Sequence, residues 1–223
     1  MGLENHIMPH YVLDTNILPP FPKSNETILF GMGCFWGAEK GFWRLPGVIN
    51  TAVGYAGGEK ENPNYREVCS GLTGHTEVVR VVWNKNKIDL SDLLKLFWEC
   101  HDPTQGNRQG NDTGSQYRSA IYTTSKEQIN KAIESKNSYQ KELHNNGFGL
   151  ITTEIQSDVK FYFAEDYHQQ YLAKPGSRPY CSAMPTKVTL IDFNGSNFKL
   201  NKNIWSHYNW DISHCILRGE NTP

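Results

Sequence analysis

The sequence has no closely spaced pair of cysteines and no excess charge of either sign. Lysine and arginine number 22 against 23 aspartate and glutamate, and no block of five or six like charges appears. A polyanion finds no electrostatic footprint here, so nucleic acid is not an expected partner. No apolar run approaches the roughly 18 residues of a membrane span. The first residues show neither a signal-peptide core nor the arginine-rich, acid-poor look of a transit peptide. A soluble cytoplasmic protein with no membrane partner is expected. The five cysteines, Cys34, Cys69, Cys100, Cys181 and Cys215, are an odd and widely spaced set. A chain of 223 residues can bury a sizeable core without disulfide staples, which points to free thiols in a reducing compartment. No C-x-x-C spacing accompanies the eight histidines, which argues against structural zinc.

What is present alternates between strand-like and helix-like patterns. Residues 1–24 carry Pro9, Pro19, Pro20 and Pro22 without sustained periodicity and read as an irregular arm. "TILFGM" then reads as a short apolar strand, and "CFWGAEKGFWRL" as a helix with Phe35 and Phe42 seven apart, stopped by Pro46-Gly47. "VINTAVGYAGG" and "TEVVRVVWN" are strand candidates, with a short helix in "NPNYREVC" between them. Leu90, Leu93, Leu94, Phe97 and Trp98 follow i, i+3, i+4, i+7, i+8 behind Asp89 or Ser91 as N-cap, the pattern of an amphipathic helix. "QYRSAIYT" reads as a strand, and Ser125 with Gln128 forms a capping-box signature for a helix running to about Asn145. "LITTEI" reads as a strand and "FAEDYHQQYL" as a short helix, beyond which regular structure is sparse. This predicts an α+β fold, a two-layer α/β sandwich on a mixed sheet. A single domain over 25–180 is expected between the arm and a tail over 181–223.

Cys34 falls between a strand and a helix, where free N–H groups and the helix dipole favour a thiolate and where Gly33 and Gly37 allow close approach. On placement alone it reads equally as a nucleophile or as a small packed residue. Phe35 and Trp36 follow it, and two consecutive helical residues cannot both enter one core stripe, so one or both line a pocket or simply pack. Glu77 shares its period-2 face with Val79, Val81 and Trp83. A carboxyl desolvated there has a raised pKa and can act as a general acid, the alternative being a strand-end carboxylate in water. Tyr65 and Tyr117 carry phenols in polar, turn-rich contexts, and Asp112 sits in "GNDTGSQYR", where a turn role is equally available. Cys100 falls at a helix C-terminus and should be sluggish, Cys69 reads as packed, and Cys181 lies in an exposed coil able to travel.

The blocks "GCFWG", "VGYAGG", "NPNYREVCSGLTGHTEVVRV", "HDPTQ", "GNDTGSQYRS" and "FAEDYHQQYL", in this order over about Thr27 to Cys181, resemble the peptide methionine sulfoxide reductase A family. The resemblance implies a ferredoxin-like core, reduction of the S epimer of methionine sulfoxide in proteins or free, recycling by thioredoxin, and no metal or prosthetic group. It also implies the roles: Cys34 the nucleophile, Glu77 the acid for the sulfoxide oxygen, Tyr65 and Tyr117 the phenols on that oxygen, and Asp112 a carboxylate holding substrate. Phe35 and Trp36 would cage the methyl group, and Cys181 would be the resolving cysteine in an enzyme expected to act as a monomer. The sequence departs from the family after Cys181, where "SAMPTKVTL" replaces a glycine-rich tail and the next thiol, Cys215, is far away. A thiol peroxidase and a non-catalytic binder of oxidised Met-rich peptides are the rival functions, the first needing no methyl cage and the second no reactive thiol.

Overall fold

The computed structural model describes residues 9–191, 200–211 and 214. Chain order is β1 (Asn25–Met32), α1 (Phe35–Trp43), β2 (Val48–Ala56), α2 (Tyr65–Cys69), β3 (Thr76–Asn84), α3 (Leu90–Glu99) and the two-residue strands β4 (Arg108–Gln109) and β5 (Asp112–Thr113). β6 (Ser119–Thr123), α4 (Lys126–Asn145), β7 (Glu154–Ser157), β8 (Phe161–Phe163) and α5 (Lys202–Trp205) complete it. Six strands form one sheet in the order β7-β6-β1-β3-β2-β8. β6 and β7 run parallel and every other neighbouring pair antiparallel. The inner run β1-α1-β2-β3-α3-β6 with spatial order β6-β1-β3-β2 is the ferredoxin-like βαββαβ arrangement expected from the resemblance.

Period-2 alternation sorts β3 between the two faces. Val79, Val81 and Trp83 enter the core beneath α1, α3 and α4, whereas Val78 joins a smaller cluster on the other face with Leu29, Ala56, Ala120 and Tyr122. Phe30 of β1 is the centre of the main core, stacked on Phe42 of α1 (centroids 4.9 Å apart) and Phe97 of α3 (5.2 Å). The second face is closed by the N-terminal arm. Among the described residues 9–24 the arm has no helix or strand, yet it packs: Ile17 is buried, its carbonyl accepts from Arg80 Nη2, and the Arg80 guanidinium lies over Phe21, Phe161 and Phe163.

α3 begins as its cap signature predicts. Asp89 accepts the Ser91 N–H at 2.8 Å, and Asp92 returns to the Asp89 N–H at 3.2 Å. Buried Asp92 also holds the C-terminal extension, accepting the Asn201 N–H at 2.7 Å and the Trp205 indole N–H at 2.6 Å. Lys95 lies beneath the stacked Trp205 and Trp210 rings and pairs with Glu99. Among the described residues beyond Ala173 the one regular element is α5, and it is seated on α3.

Three local readings are corrected. The strand read from "LITTEI" begins only at Glu154, and β8 is an edge strand of three residues that the pattern did not show. "FAEDYHQQYL" is a run of turns ending in one 3-10 turn rather than a helix. The physical reason is the Gln169–Gln170 pair: Gln169 spends its amide on Val53 N, Val53 O and Ala164 O, and Gln170 stands at φ 45° in the left-handed region, which a helix does not pass through.

Replacing Asp92 with alanine removes a capping partner and leaves two buried N–H donors without an acceptor. The expected cost is about 2–4 kcal/mol, read as a lower urea midpoint with an unchanged slope.

Candidate active site

Cys34 is the N-cap residue of α1 (φ −54°, ψ 122°), two residues beyond the end of β1. The turn that delivers it requires glycine before it. Gly33 stands at φ 86°, and a Cβ there would come within 2.7 Å of the buried Gln109 side chain. The thiol is free and half-buried. Glu77, opposite Tyr55 in the β2–β3 pairing, is 2 % exposed, and its Oε2 accepts the Phe35 N–H at 3.1 Å. The acid is thereby fixed to the first turn of the helix that Cys34 caps.

The electrostatics of this pair differ from a helix-activated thiolate. Burial, then the Glu77 and Asp112 charges, push the Cys34 thiol well above its ordinary value, and the Trp36 N–H only partly opposes them. Burial likewise pushes the Glu77 carboxyl up to about 8, with Asp112 adding to the rise and the Phe35 N–H opposing it. At neutral pH the resting site therefore holds a thiol beside a protonated carboxyl, where the helix dipole alone would favour a thiolate.

Tyr65 and Tyr117 feel Glu77 and each other's surroundings, and burial raises both phenols further above their ordinary range, so each is a proton donor. Tyr65 is seated by its own N–H, which donates to Glu165 at 2.9 Å, and Tyr55 donates its phenol to the same carboxylate at 2.9 Å. The Tyr65 phenol meets the Cys69 thiol, which is exposed rather than packed because Val68 is the buried residue of the short α2. Cys100 is buried and pushed up by desolvation, the sluggish thiol expected.

The two aromatics after Cys34 part company. Phe35 is 1 % exposed and packs on Tyr55 and His168, with ring centroids 6.0 and 5.1 Å away. Trp36 is half-buried, stacks on Tyr171 at 3.9 Å and 15°, and donates its indole N–H to His168 Nδ1 at 3.1 Å. His168 is thus neutral, burial holding it down at about 4. Asp112 on β5 is reached from the chain around Cys181: Tyr180 donates its phenol to one oxygen and Ser182 its hydroxyl to the other at 2.5 Å. The Asp112 contact holds the Tyr180 phenol up at about 12. Cys181 is exposed and disulfide-bonded, and since Cys34 is a free thiol the bond is not to Cys34. Cys215 lies outside the described residues.

The structure therefore gathers Cys34, Phe35, Trp36, Tyr65, Glu77, Asp112 and Tyr117 at one end of the sheet, with the Cys181 segment across it. The family model for peptide methionine sulfoxide reductase matches residues 26–198. The chain belongs to this family. Among its relatives in this family is the mitochondrial peptide methionine sulfoxide reductase of Bos taurus, 58% identical over 180 residues, 81% of this chain and 77% of that protein. The solved methionine sulfoxide reductase A of Corynebacterium diphtheriae superposes with a TM-score of 0.72 at 44% identity, covering 82% of this chain and 93% of that one. Mxr1 of Saccharomyces cerevisiae in its reduced form gives 0.69 at 33% identity, covering 76% and 97%.

Sequence reasoning missed Glu165, His168, Tyr171, Tyr180 and Ser182. The signal for the first three was an acid, an imidazole and a phenol at i, i+3, i+6 within "FAEDYHQQYL", which reading the stretch as an ordinary short helix concealed. Nothing in the spacing marks Ser182.

Because the folded-state carboxyl of Glu77 titrates at about 8 rather than 4.5, folding takes up a proton, and the cost of ionising it grows as pH rises from the lower value to the higher. Glu77→Gln is expected to stabilise the protein by about 5 kcal/mol above pH 8 and by nothing measurable at pH 4, in thermal melts across that range.

Proposed function

We propose that the chain reduces the S epimer of methionine sulfoxide, in proteins and free, through Cys34. The observation that carries the reading is the buried, protonated Glu77 tied to the N-terminus of α1 beside the Cys34 thiol. A sulfoxide sulfur becomes electrophilic when its oxygen is protonated or hydrogen-bonded, so the reaction needs acid donors converging on one oxygen and a sulfur nucleophile at the adjacent atom. Glu77, Tyr65 and Tyr117 supply the donors. Glu77 gives its proton to the oxygen and takes up the one that Cys34 loses, so no charge accumulates in the pocket. A Cys34–sulfur bond forms as the substrate sulfur–oxygen bond breaks and the protonated oxygen leaves as water; a water oxygen then attacks the Cys34 sulfur, the Cys34–substrate sulfur bond breaks, and methionine leaves with Cys34 as the sulfenic acid. Trp36 forms the wall against the substrate methyl, Phe35 backs it, and Asp112 holds substrate.

Once a thioredoxin-type reductant has opened the disulfide that Cys181 carries in this structure, the Cys181 thiol condenses with the sulfenic acid, releasing water and forming a Cys34–Cys181 disulfide that the same reductant reduces. Cys181 meets the requirement of exposure on a segment that reaches the site through Tyr180 and Ser182. The family resemblance supports the reductant, and Mxr1 has been solved in complex with Trx2. The tail over 181–223 would carry this resolving step, with the catalytic domain over 25–180 and the chain acting as a monomer. No helix among the described residues is long and apolar enough to cross a membrane. Among the described residues Cys34, Cys69 and Cys100 are free thiols, which suits a reducing compartment with the cytoplasm as the simplest case, the Cys181 disulfide being one that the reductant opens there.

Turnover of the two epimers of a methionine sulfoxide peptide with thioredoxin tests the reading. The S epimer should be consumed and the R epimer spared, and Cys34→Ser should release no methionine while remaining folded. Glu77→Gln should slow methionine release by about 10² or more, and should lose the decline in rate that wild type shows above about pH 8 as Glu77 ionises. Cys181→Ser should give one methionine per enzyme and then stall. Peroxide consumed in place of sulfoxide would move the chain to the peroxidases.

A further inference from the structure

Glu39 is wholly buried on α1, one turn beyond Trp36, and the chemistry described above makes no use of it. Its carboxylate is saturated by hydrogen bonds from two other parts of the chain. Oε1 accepts from the Thr51 hydroxyl of β2 at 2.9 Å and from Gln170 Nε2 at 2.7 Å, while Oε2 accepts from the Gln170 backbone N–H at 2.8 Å. Thr51 is in turn bonded to His10 Nε2 at 2.8 Å, and Gln170 Oε1 accepts the Tyr11 N–H at 3.2 Å, so the N-terminal arm closes the same network.

Gln170 is the unusual member. It stands at φ 45°, ψ 41°, a conformation that a residue with a long side chain adopts only when its surroundings hold it there. Glu39 holds it by both its backbone and its side chain. The neighbours of Gln170 are the groups that fix Trp36: His168 accepts the indole N–H, and Tyr171 stacks on the ring. A relaxed Gln170 would turn the chain before Tyr171 and after His168 by tens of degrees, and neither contact tolerates that rotation.

We infer that Glu39 is a positioning residue that sets the wall of the substrate pocket: by clamping Gln170 in the left-handed conformation it orients His168 and Tyr171, and through them Trp36. The inference rests on the reading of Trp36 as the methyl wall. Glu39 touches no reacting atom, so its loss falls on substrate binding more than on the chemical step.

The test is steady-state and single-turnover kinetics of the full chain on a methionine sulfoxide peptide, with Glu39→Gln, Trp36→Ala and the double variant. Glu39→Gln replaces one acceptor with an N–H₂ group facing the Gln170 donors. Expected for it is a KM about tenfold higher, with the saturating rate of methionine release within about threefold of wild type. The indole N–H resonance of Trp36, assigned by its disappearance in Trp36→Ala, should move. In the double variant KM should match that of Trp36→Ala alone, because the two substitutions act on one wall. An unchanged KM and indole resonance in Glu39→Gln, with only a lower melting temperature, would overturn the inference, as would additive effects in the double variant. If Trp36→Ala leaves KM unchanged, the premise about the wall is what fails. Should Glu39→Gln not fold, Gln170→Ala keeps the carboxylate and removes one of its partners; a KM about threefold higher with the same resonance shift supports the clamp, and no change in either sinks it.

Discussion

The hydrogen bond from the Phe35 N–H to the Glu77 carboxyl joins the start of α1 to the start of β3 inside a region that water does not reach. Three consequences follow from that one contact. It satisfies a backbone donor at the helix N-terminus that no side chain of Cys34 caps. It fixes the acid in register with the thiol, since Cys34 is the residue immediately before the donor. It also holds a carboxyl where its ionised form is poorly solvated, which is why the proton stays on it near neutrality. A Glu77 aimed at solvent would have satisfied the strand equally well and left Cys34 without an acid.

Around that contact the pocket is assembled from segments far apart in sequence, each docked by a carboxylate. Glu165 seats Tyr65 and Tyr55, Glu39 seats the turn that carries Gln170, and Asp112 receives Tyr180 and Ser182. Short irregular segments cannot hold a geometry by backbone ladders of their own, so acceptors with several lone pairs take that part. The strands and α1 supply a rigid base, with Phe30 stacked between Phe42 and Phe97 beneath the site.

Much of this was readable in the sequence because it rests on local periodicity. The alternation in "TEVVRVVWN" placed Glu77 on the face of Val79, Val81 and Trp83, and those three do lie in the main core. The Asp89 cap and the α3 stripe were legible for the same reason. What the pattern concealed depends on contacts between distant residues. "FAEDYHQQYL" carries helix-forming residues, and only the pull of Glu39 and of the β2 backbone on consecutive glutamines turns it away from a helix. The fate of the Cys34 proton was hidden likewise. A helix N-terminus lowers a thiol pKa by a few local dipoles, whereas two carboxyl groups and burial, brought up from Glu77 and Asp112, raise it by more.

That balance sets the order in which protons move. A permanent thiolate would put a second negative charge beside the Asp112 carboxylate in a poorly solvated site, at a cost that grows as the dielectric falls. A thiol beside a protonated Glu77 carries no such cost, and the phenols of Tyr65 and Tyr117, held well above neutrality, also keep their protons. The resting pocket is thus rich in donors, and its Asp112 carboxylate already receives Tyr180 and Ser182. A sulfoxide oxygen is an acceptor that suits those donors. In the proposed reaction its arrival would let Glu77 give up a proton and become the base for Cys34, so the nucleophile would be generated in the step that makes the sulfur electrophilic, and a thiol kept protonated until then would be shielded from indiscriminate oxidants.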